Sequence, residues 1–185
     1  MPELTLWLLR HAKTVTDPPK GGKDFDRVLA PRGRRDATAL GALFGTDGSR
    51  LGLDGVPLPQ RVLVSPAART AATAELVLAR LTPPPVVDLV DELYGADPEG
   101  VLDCLRALSE SVTSAMVVGH NPTAHSLSQG LISRKDKKGR DLAVQRSFPT
   151  CALGVYRFDL ASWRDVAGGT ATLAALLIPP FDPAD

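Results

Sequence analysis

Short apolar runs alternate with stretches of helical periodicity along the chain, and this alternation limits the fold more than any other feature. Leu4–Leu9 is a continuous apolar run, as expected for a strand that is buried on both faces of a sheet. Gly33–Phe44 then carries apolar residues at helical spacing. The alternation predicts a single α/β domain over residues 1–185, built as a three-layer α/β/α sandwich around a mixed, mostly parallel sheet.

The remaining predicted elements follow the same pattern. Further strands are predicted at Arg61–Val64, Val86–Leu89, Ser114–Val118, Cys151–Phe158 and Ala171–Ile178, and further helices at Pro66–Leu81, Pro98–Leu108 and Pro122–Ile132. Loops are predicted at Thr16–Asp26, Thr46–Pro59 and Arg134–Arg146. No internal repeat or linker interrupts the pattern, and 185 residues suffice for one hydrophobic core.

The charge balance and the cysteine content limit the environment and the partners. Lysine plus arginine equal aspartate plus glutamate at 21 each, which gives no reason to expect nucleic acid or a membrane surface. The N-terminal run lacks the flanks of a signal peptide, and no apolar run reaches the roughly 20 residues that span a bilayer. Two cysteines, Cys104 and Cys151, indicate no disulfide framework. We therefore expect a cytoplasmic protein.

Three predicted helices begin with a polar residue followed by proline: Ser65-Pro66, Asp97-Pro98 and Asn121-Pro122. The polar side chain can accept a hydrogen bond from a free helix-end amide, and proline at the first helical position loses no needed donor. Two of these helix starts directly follow strands. Because ligands of open α/β sheets bind at the carboxyl ends of strands, and helix amino ends attract anions, phosphate is the expected ligand.

Four basic side chains are predicted to meet at this edge of the sheet. The first strand ends in Arg10-His11, His120 ends another strand, and Arg69 lies over the first turn of the helix after Ser65. Arginine matches the oxygens of phosphate, and a neutral histidine has a lone pair that can attack phosphorus. We predict that His11 becomes phosphorylated and that water then releases phosphate. Arg10, Arg69 and a protonated His120 would stabilise the charge, without a metal or a cofactor.

At these residues the sequence resembles the histidine phosphatase superfamily, whose fold is phosphoglycerate mutase-like. LLRHAKT resembles the Arg-His-Gly motif of this family, with Ala12 in place of glycine. VLVSPAARTAATAELV resembles its second motif, Ser-Pro-x-x-Arg-x-x-x-Thr-Ala. MVVGHNPTAHSL resembles its third motif, Gly-His-Asn. DFDRVLAPRGRRDA, DELYGAD and SFPTCAL are similar to the SixA-like branch, which includes phosphohistidine phosphatases acting on signalling proteins. The resemblance implies His11 as the nucleophile, and a phosphorylated protein or a small phosphorylated metabolite as the substrate.

One departure from the family pattern bears on the substrate. Larger members carry a glutamate acid in a Leu-x-Glu pattern, whereas Leu93-Tyr94-Gly95 has glycine there; Asp91 and Glu92 are the nearby acid candidates. A phosphate monoester needs a proton on its leaving group more than a phosphoramidate does, so the missing glutamate favours phosphohistidine. Two alternatives stay open, a phosphatase for small phosphate monoesters and a non-catalytic phosphoprotein-binding module.

Other motifs carry weaker predictions. Cys151 to Arg157 has the Cys-x5-Arg spacing of thiolate phosphatases but is predicted to be a strand, and Asp24-Phe25-Asp26 has the Asp-x-Asp pattern of magnesium-dependent phosphatases but is predicted to be a loop. The basic run Arg134–Arg140 is either a solvated loop or a docking surface for an acidic phosphoprotein. Thr14 and Asn121 are expected at the pocket rim, and His125 is expected to be a packing or surface residue.

Overall fold

The computed structural model describes residues 3–45, 51, 53 and 55–181, so positions 46–50, 52 and 54 of the predicted loop Thr46–Pro59 lie outside the described residues. The strands are β1 (Leu4–Arg10), β2 (Arg61–Val64), β3 (Val86–Leu89), β4 (Ser114–Gly119), β5 (Leu153–Phe158) and β6 (Ala171–Leu177). They form one six-stranded sheet in the order β3-β2-β4-β1-β5-β6. The first four strands pair in parallel, and β5 and β6 pair antiparallel, which confirms the mixed, mostly parallel sheet.

Helices cover both faces of the sheet. They are α1 (Pro31–Phe44), α2 (Ala68–Leu78), α3 (Pro98–Arg106), α4 (Thr123–Gly130) and α5 (Lys137–Gln145). Side chains of β1 alternate between the faces: Leu6 and Leu8 pack in the core with residues of α3 and α4, whereas Trp7 and Leu9 pack in the core with residues of α1 and α2. This alternation gives the three predicted layers. In the described part of the chain, no helix combines the length and apolar character that crossing a membrane requires.

The predicted loop Arg134–Arg146 is wrong, because most of it forms α5. Asp136 caps this helix, since its carboxylate accepts hydrogen bonds from the backbone N–H of Gly139 at 2.9 Å and of Leu173 at 2.9 Å. Ala143 is buried against the core. The segment is rich in lysine and arginine and carries few apolar residues, so its helical periodicity was too weak to predict the helix.

Only one of the three predicted helix caps forms. Asp97 accepts a hydrogen bond from the backbone N–H of Gly100 at 2.8 Å, and α3 begins at Pro98 as predicted. By contrast, α2 begins at Ala68 and α4 at Thr123, and neither Ser65 nor Asn121 caps a helix. Both of these side chains instead make hydrogen bonds at the carboxyl edge of the sheet, where the predicted site residues lie.

Candidate active site

The register of the parallel strands brings the two predicted histidines together. β1 and β4 end side by side, with Arg10 opposite Gly119, and the backbone N–H of His11 donates to the carbonyl of Gly119 at 3.0 Å. The imidazole rings of His11 and His120 therefore lie with their centroids 5.3 Å apart. Arg69, from the first turn of α2, donates from Nε to Nδ1 of His120 at 3.3 Å. Strand pairing thus places Arg10, His11 and His120 at one edge of the sheet, and the first turn of α2 adds Arg69.

His11 is held as a neutral imidazole with one nitrogen free. Its Nδ1 lies 2.8 Å from the carbonyl oxygen of Ala12, which can only accept, so Nδ1 carries the proton and Nε2 the lone pair. Burial is the main cause that lowers the pKa of His11 to about 4; the nearby His120, Arg69 and Arg10 contribute to the fall, and the hydrogen bond to Ala12 opposes it. An imidazole in this state can attack phosphorus near neutral pH without a base to deprotonate it.

His120 is held as the opposite tautomer. Because Nε of Arg69 can only donate, Nδ1 of His120 must hold a lone pair, and its Nε2 must donate to the hydroxyl of Ser65 at 2.8 Å. Burial, followed by the charge of Arg69, lowers the pKa of His120 to about 4. The protonated His120 expected from the sequence therefore does not fit the protein's own contacts. Ser65, predicted as a helix cap, instead fixes this ring.

The two arginines bring positive charge close to the histidine pair. Arg10 donates from Nη1 to the carbonyl of Phe148 at 3.0 Å, and Asn121 donates its amide to the same carbonyl at 3.2 Å. Nε of Arg10 and Oδ1 of Asn121 are buried without a partner among the described residues. Burial also lowers the pKa of Arg10. An anion with several oxygens would satisfy such a donor, and Asn121 lies beside it, as predicted for the pocket rim.

Asp24 is the residue near the site that the sequence interpretation missed. Its backbone carbonyl accepts from Nη1 of Arg69 at 2.7 Å and its Oδ2 accepts from Nη2 of Arg69 at 3.0 Å. Its Oδ1 accepts from Nη1 of Arg27 at 3.0 Å, and Arg27 in turn donates to the hydroxyl of Thr14 at 2.6 Å. Thr14 is buried, so it supports the rim from behind Arg27, whereas the sequence predicted it at the rim itself.

Two aromatic rings complete this side of the pocket. Tyr94 meets Phe25 edge to face with centroids 5.1 Å apart, and it meets the ring of His120 edge to face at 5.7 Å. The hydroxyl of Tyr94 lies 3.4 Å from Oδ2 of Asp24. The sequence signal that could have identified Asp24 and Phe25 is the similarity of DFDRVLAPRGRRDA to the SixA-like branch, since local pattern predicted only a loop there.

The two predicted acid candidates do not reach the histidine pair. Glu92 lines a separate cavity of about 680 Å³, together with Asp88 and Cys104. Among the described residues, neither Asp91 nor Glu92 makes a hydrogen bond or ion pair with the four basic side chains. The short 3₁₀ turn Asp91–Leu93 directs Tyr94 to the site and leaves these carboxylates outside it. The carboxylate that does approach is Asp24.

A smaller cavity of about 290 Å³ adjoins His120. It lies between residues 95–98 and the start of α4, and its lining includes Gly95, Asn121 and Thr123. By the resemblance described above, Gly95 corresponds to the glutamate of larger family members, and a Cβ built on it would meet no atom within 4 Å. The site therefore has open space where those members have an acid.

The thiolate alternative is excluded by the conformation and burial of Cys151. Cys151 has φ 65° and precedes β5, and its backbone N–H donates to the carbonyls of Arg10 and His11 at 3.2 and 3.1 Å. Burial raises the pKa of its thiol to about 12, so the thiolate does not form near neutral pH. These two backbone hydrogen bonds instead tie Cys151 to the segment Arg10–His11. The other alternative, Asp24–Asp26, forms a 3₁₀ turn within a loop, as predicted.

Comparison with known proteins gives a consistent result. Residues 6–101 match the family model of the histidine phosphatase superfamily, branch 1. The uncharacterized protein Rv1276c of Mycobacterium tuberculosis is 34% identical over 175 residues, which cover 92% of this chain and 99% of the relative. A solved structure assigned to the phosphohistidine phosphatase SixA of Nakamurella multipartitia is 28% identical, with a TM-score of 0.78, over 97% of this chain and 98% of that one. Its counterpart from Agrobacterium tumefaciens is 30% identical, with a TM-score of 0.74, over 97% and 99%.

Proposed function

Because the chain belongs to the histidine phosphatase superfamily, we propose that it hydrolyses phosphohistidine on a protein substrate through a phosphorylated His11, without a metal ion. The observation that carries this proposal is the state of His11. Its Nδ1 is tied to the carbonyl of Ala12 at 2.8 Å, its ring centroid lies 5.3 Å from that of His120, and Arg69 and Arg10 are near enough for their charges to act on it. A neutral imidazole with an oriented lone pair beside two fixed cations is the arrangement that nucleophilic attack on phosphorus requires.

The reaction would proceed in two displacements. In the first, Nε2 of His11 attacks phosphorus while donors from Arg10 and Arg69 stabilise the charge on the equatorial oxygens. Arg69 has five N–H donors and uses three of them on His120 and Asp24, so two remain for phosphate. In the second, water attacks the phosphorylated histidine and releases phosphate. His120 stays neutral in this scheme, with its Nε2–H donated to Ser65 and its Nδ1 accepting from Arg69.

The absence of glutamate after Tyr94 supports a phosphoramidate substrate. Gly95 occupies the glutamate position, and neither Asp91 nor Glu92 approaches the histidine pair. An alcohol leaving group needs a proton donor, whereas the phosphorus–nitrogen bond of phosphohistidine breaks more readily. The solved relatives assigned as phosphohistidine phosphatases support the same choice.

The basic helix α5 supports a protein as the carrier of the phosphate. α5 and its flanks present six exposed basic residues, namely Arg134, Lys135, Lys137, Lys138, Arg140 and Arg146. The chain then leads directly to Phe148, whose carbonyl binds Arg10 and Asn121 in the pocket. The amino end of α5 contacts the start of β6, and only its carboxyl end leads to the pocket. This basic helix would attract an acidic phosphoprotein to the flank of the molecule that ends at the pocket, as one of the two predictions for the run 134–140 had it.

The test uses a histidine-phosphorylated phosphotransfer domain labelled with ³²P. We expect wild type to release phosphate and to form a labelled phosphoenzyme in a rapid alkaline quench, with the same rate in the presence of a chelator. His11→Ala should lose both signals. His125→Ala, which removes the third histidine from α4, should keep them. Turnover of a panel of sugar and nucleotide phosphates is measured in parallel.

Two outcomes would contradict the proposal. A preference of several powers of ten for one of the sugar or nucleotide phosphates would favour the small-molecule phosphatase. No turnover of any phosphorylated compound, together with tight binding of the phosphoprotein, would favour the non-catalytic binding module.

A further inference from the structure

Asp24 places a carboxylate on the solvent side of the phosphate-binding arginine. The guanidinium of Arg69 lies between His120, 3.3 Å from its Nε, and Asp24, 3.0 Å from its Nη2. The side chain of Arg69 is 9% exposed, whereas that of Asp24 is 57% exposed. A substrate whose phosphorus lies against the half-buried His11 must extend its leaving group towards solvent, and Asp24 is an exposed carboxylate that contacts Arg69 beside this site.

The neighbours of this carboxylate are aromatic. The outer rim consists of Asp24, Phe25 and Tyr94: the two rings meet edge to face at 5.1 Å, and the phenol hydroxyl lies 3.4 Å from the carboxylate. Tyr94 is 41% exposed, so part of its ring is free to contact a ligand. A carboxylate flanked by aromatic rings suits a planar, positively charged ring better than it suits a sugar or a second phosphate.

The protonated imidazole of phosphohistidine is such a ring. When the ring nitrogen that does not bear phosphorus is protonated, cleavage of the phosphorus–nitrogen bond releases neutral imidazole, and no acid has to deliver a proton. A phosphate monoester, by contrast, requires a proton on the bridging oxygen. Phosphohistidine therefore calls for a charged carboxylate near the distal ring nitrogen. A phosphate monoester calls for a neutral carboxylic acid near the bridging oxygen.

Asp24 has the properties of the charged carboxylate. The hydrogen bond from Arg27 and the charges of Arg69 and Arg27 hold the pKa of Asp24 below its usual range, against a smaller effect of burial. It is therefore ionised at neutral pH and is a poor proton donor.

We infer that Asp24 is a substrate-binding residue that selects imidazole leaving groups, by accepting a hydrogen bond from the distal ring N–H of phosphohistidine while Phe25 and Tyr94 contact the ring. The inference rests on the proposed function and adds to it the group that recognises the leaving side of the substrate. The inference explains why Asp24, the carboxylate that contacts Arg69, is ionised. It also explains why the site can lack a glutamate at the position of Gly95, where the structure has open space.

The first displacement then needs no proton transfer. The lone pair on Nε2 of His11 forms the new nitrogen–phosphorus bond, the bond from phosphorus to the substrate ring breaks, and its electron pair returns to that ring nitrogen. The distal N–H stays on the departing imidazole and continues to donate to Asp24. His11 becomes the phosphorylated imidazolium, and its Nδ1–H still donates to the carbonyl of Ala12. The substrate ring and the His11 ring would therefore each be held by a hydrogen bond from the ring nitrogen that does not bear phosphorus.

The second displacement restores the enzyme. The oxygen of water forms a bond to phosphorus, the bond from phosphorus to Nε2 of His11 breaks, and its electron pair returns to Nε2. Both protons of the water stay with the phosphate, which then ionises in solvent.

The test compares three substrates in Asp24→Asn, which keeps an oxygen acceptor for Arg69 but removes the charge. The substrates are a phosphohistidine peptide, a phospholysine peptide and an aryl phosphate; the last two have no distal ring nitrogen. We expect kcat/KM for phosphohistidine to fall about 10- to 100-fold, the range for losing a hydrogen bond to a charged group. The other two substrates should change by no more than about twofold. The alkaline limb of the phosphohistidine pH profile should move to lower pH, because the substrate ring loses the charge that favours its protonated form.

Two further variants separate recognition from support of Arg69. Asp24→Glu keeps the charge and should restore part of the phosphohistidine activity and the alkaline limb. Asp26 lies in the same 3₁₀ turn, and its carboxylate accepts a hydrogen bond from the backbone N–H of Lys23 at 2.8 Å. Asp26→Asn is the matched control and should not change the ratio of the three activities. An equal loss of all three activities in Asp24→Asn would show that Asp24 only positions Arg69 and would overturn the inference, as would no change at all. If wild type leaves the phosphohistidine peptide intact, the proposed function fails first and the inference fails with it.

Discussion

The two sides of Arg69 are built in different ways. On one side lies the inner pocket, formed by Arg10, His11, His120 and Arg69 itself, whose members follow strand ends or begin a helix that follows one. On the other side lies the outer rim, whose members come from two 3₁₀ turns and the loops around them. Backbone hydrogen bonds between neighbouring strands fix the inner pocket, whereas the outer rim is joined to it through the side chains of Arg69 and His120.

This difference in construction matches a difference in what each region would contact. The inner pocket would surround the phosphoryl group, which every phosphorylated substrate shares. The outer rim would face the leaving group, which differs from one substrate to the next. Changes in the inner pocket should therefore lower all activities together, and changes in the outer rim should lower them selectively.

The largest effect is expected for Arg69→Gln. It removes a buried charge from the inner pocket and with it the donor to Nδ1 of His120. We expect kcat/KM to fall about 10²- to 10³-fold for phosphohistidine and aryl phosphate alike, because removing one transition-state donor typically costs that much. Arg80→Gln, at an exposed position just after α2, is the matched control and should have no effect. A loss confined to one substrate would assign Arg69 to the outer rim.

A second large effect is expected for Gly33→Ala, which tests whether the inner pocket depends on close backbone packing. A Cβ at Gly33 would lie 2.0 Å from the carbonyl oxygen of Lys13, in the segment that follows His11. Relieving this overlap requires a backbone shift, so we expect a loss of about 1–3 kcal/mol in unfolding free energy and reduced activity on all substrates. Gly130→Ala, at the end of α4 with nothing within 4 Å of its Cβ, should leave both unchanged or slightly raise stability.

The inner pocket could be predicted from the sequence because strand order dictates it. Apolar runs predict the buried strands, and residues that follow parallel strands must lie at one edge of the sheet, so Arg10, His11 and His120 converge whatever the details of their contacts. The details were less predictable. The hydroxyl of Ser65 can either cap a helix or accept a hydrogen bond from an imidazole. Only the position of the His120 ring decides between these two contacts.

The outer rim could not be predicted, because long-range contacts within loops have no periodic signal. Asp24 and Tyr94 are 70 residues apart, and each lies in a turn whose local sequence gives no information about the other. The same reasoning explains why Asp91 and Glu92 were chosen as acid candidates. Proximity in sequence to the family's glutamate position suggested them, but the 3₁₀ turn that contains them points Tyr94 to the site instead.

A smaller effect is expected when the pH is lowered. The free energy of unfolding should fall because of the histidines of the inner pocket, and the carboxylate of the outer rim should contribute little. The pKa values of His11 and His120 fall from 6.5 to about 4 on folding, so the unfolded state binds more protons between these values. Their contribution is fully present above pH 6.5 and is lost as the pH falls towards 4. Between pH 7 and 5 we expect the unfolding free energy to fall by about 1 kcal/mol per histidine, after allowance for their partial exposure.

Denaturant titrations at the two pH values would check this expectation. His120→Asn should show a smaller fall than wild type. Asp24→Asn should show nearly the same fall as wild type, since the pKa of Asp24 lies below this range. An equal fall in wild type and His120→Asn would mean that His120 is not held neutral by the fold.

The smallest effect is expected for Tyr94→Phe, and it determines which part of the outer rim recognises the substrate. The phenol hydroxyl lies 3.4 Å from the carboxylate of Asp24, too far for a strong hydrogen bond, so its loss should lower kcat/KM for phosphohistidine by at most about twofold. Tyr94→Ala also removes the ring and its edge-to-face contacts, and should cost about 2- to 10-fold on phosphohistidine with no change on phospholysine, which has no leaving ring. If Tyr94→Phe instead matched the loss in Asp24→Asn, the hydroxyl would be the group that binds the leaving ring, and the carboxylate would act only by orienting it.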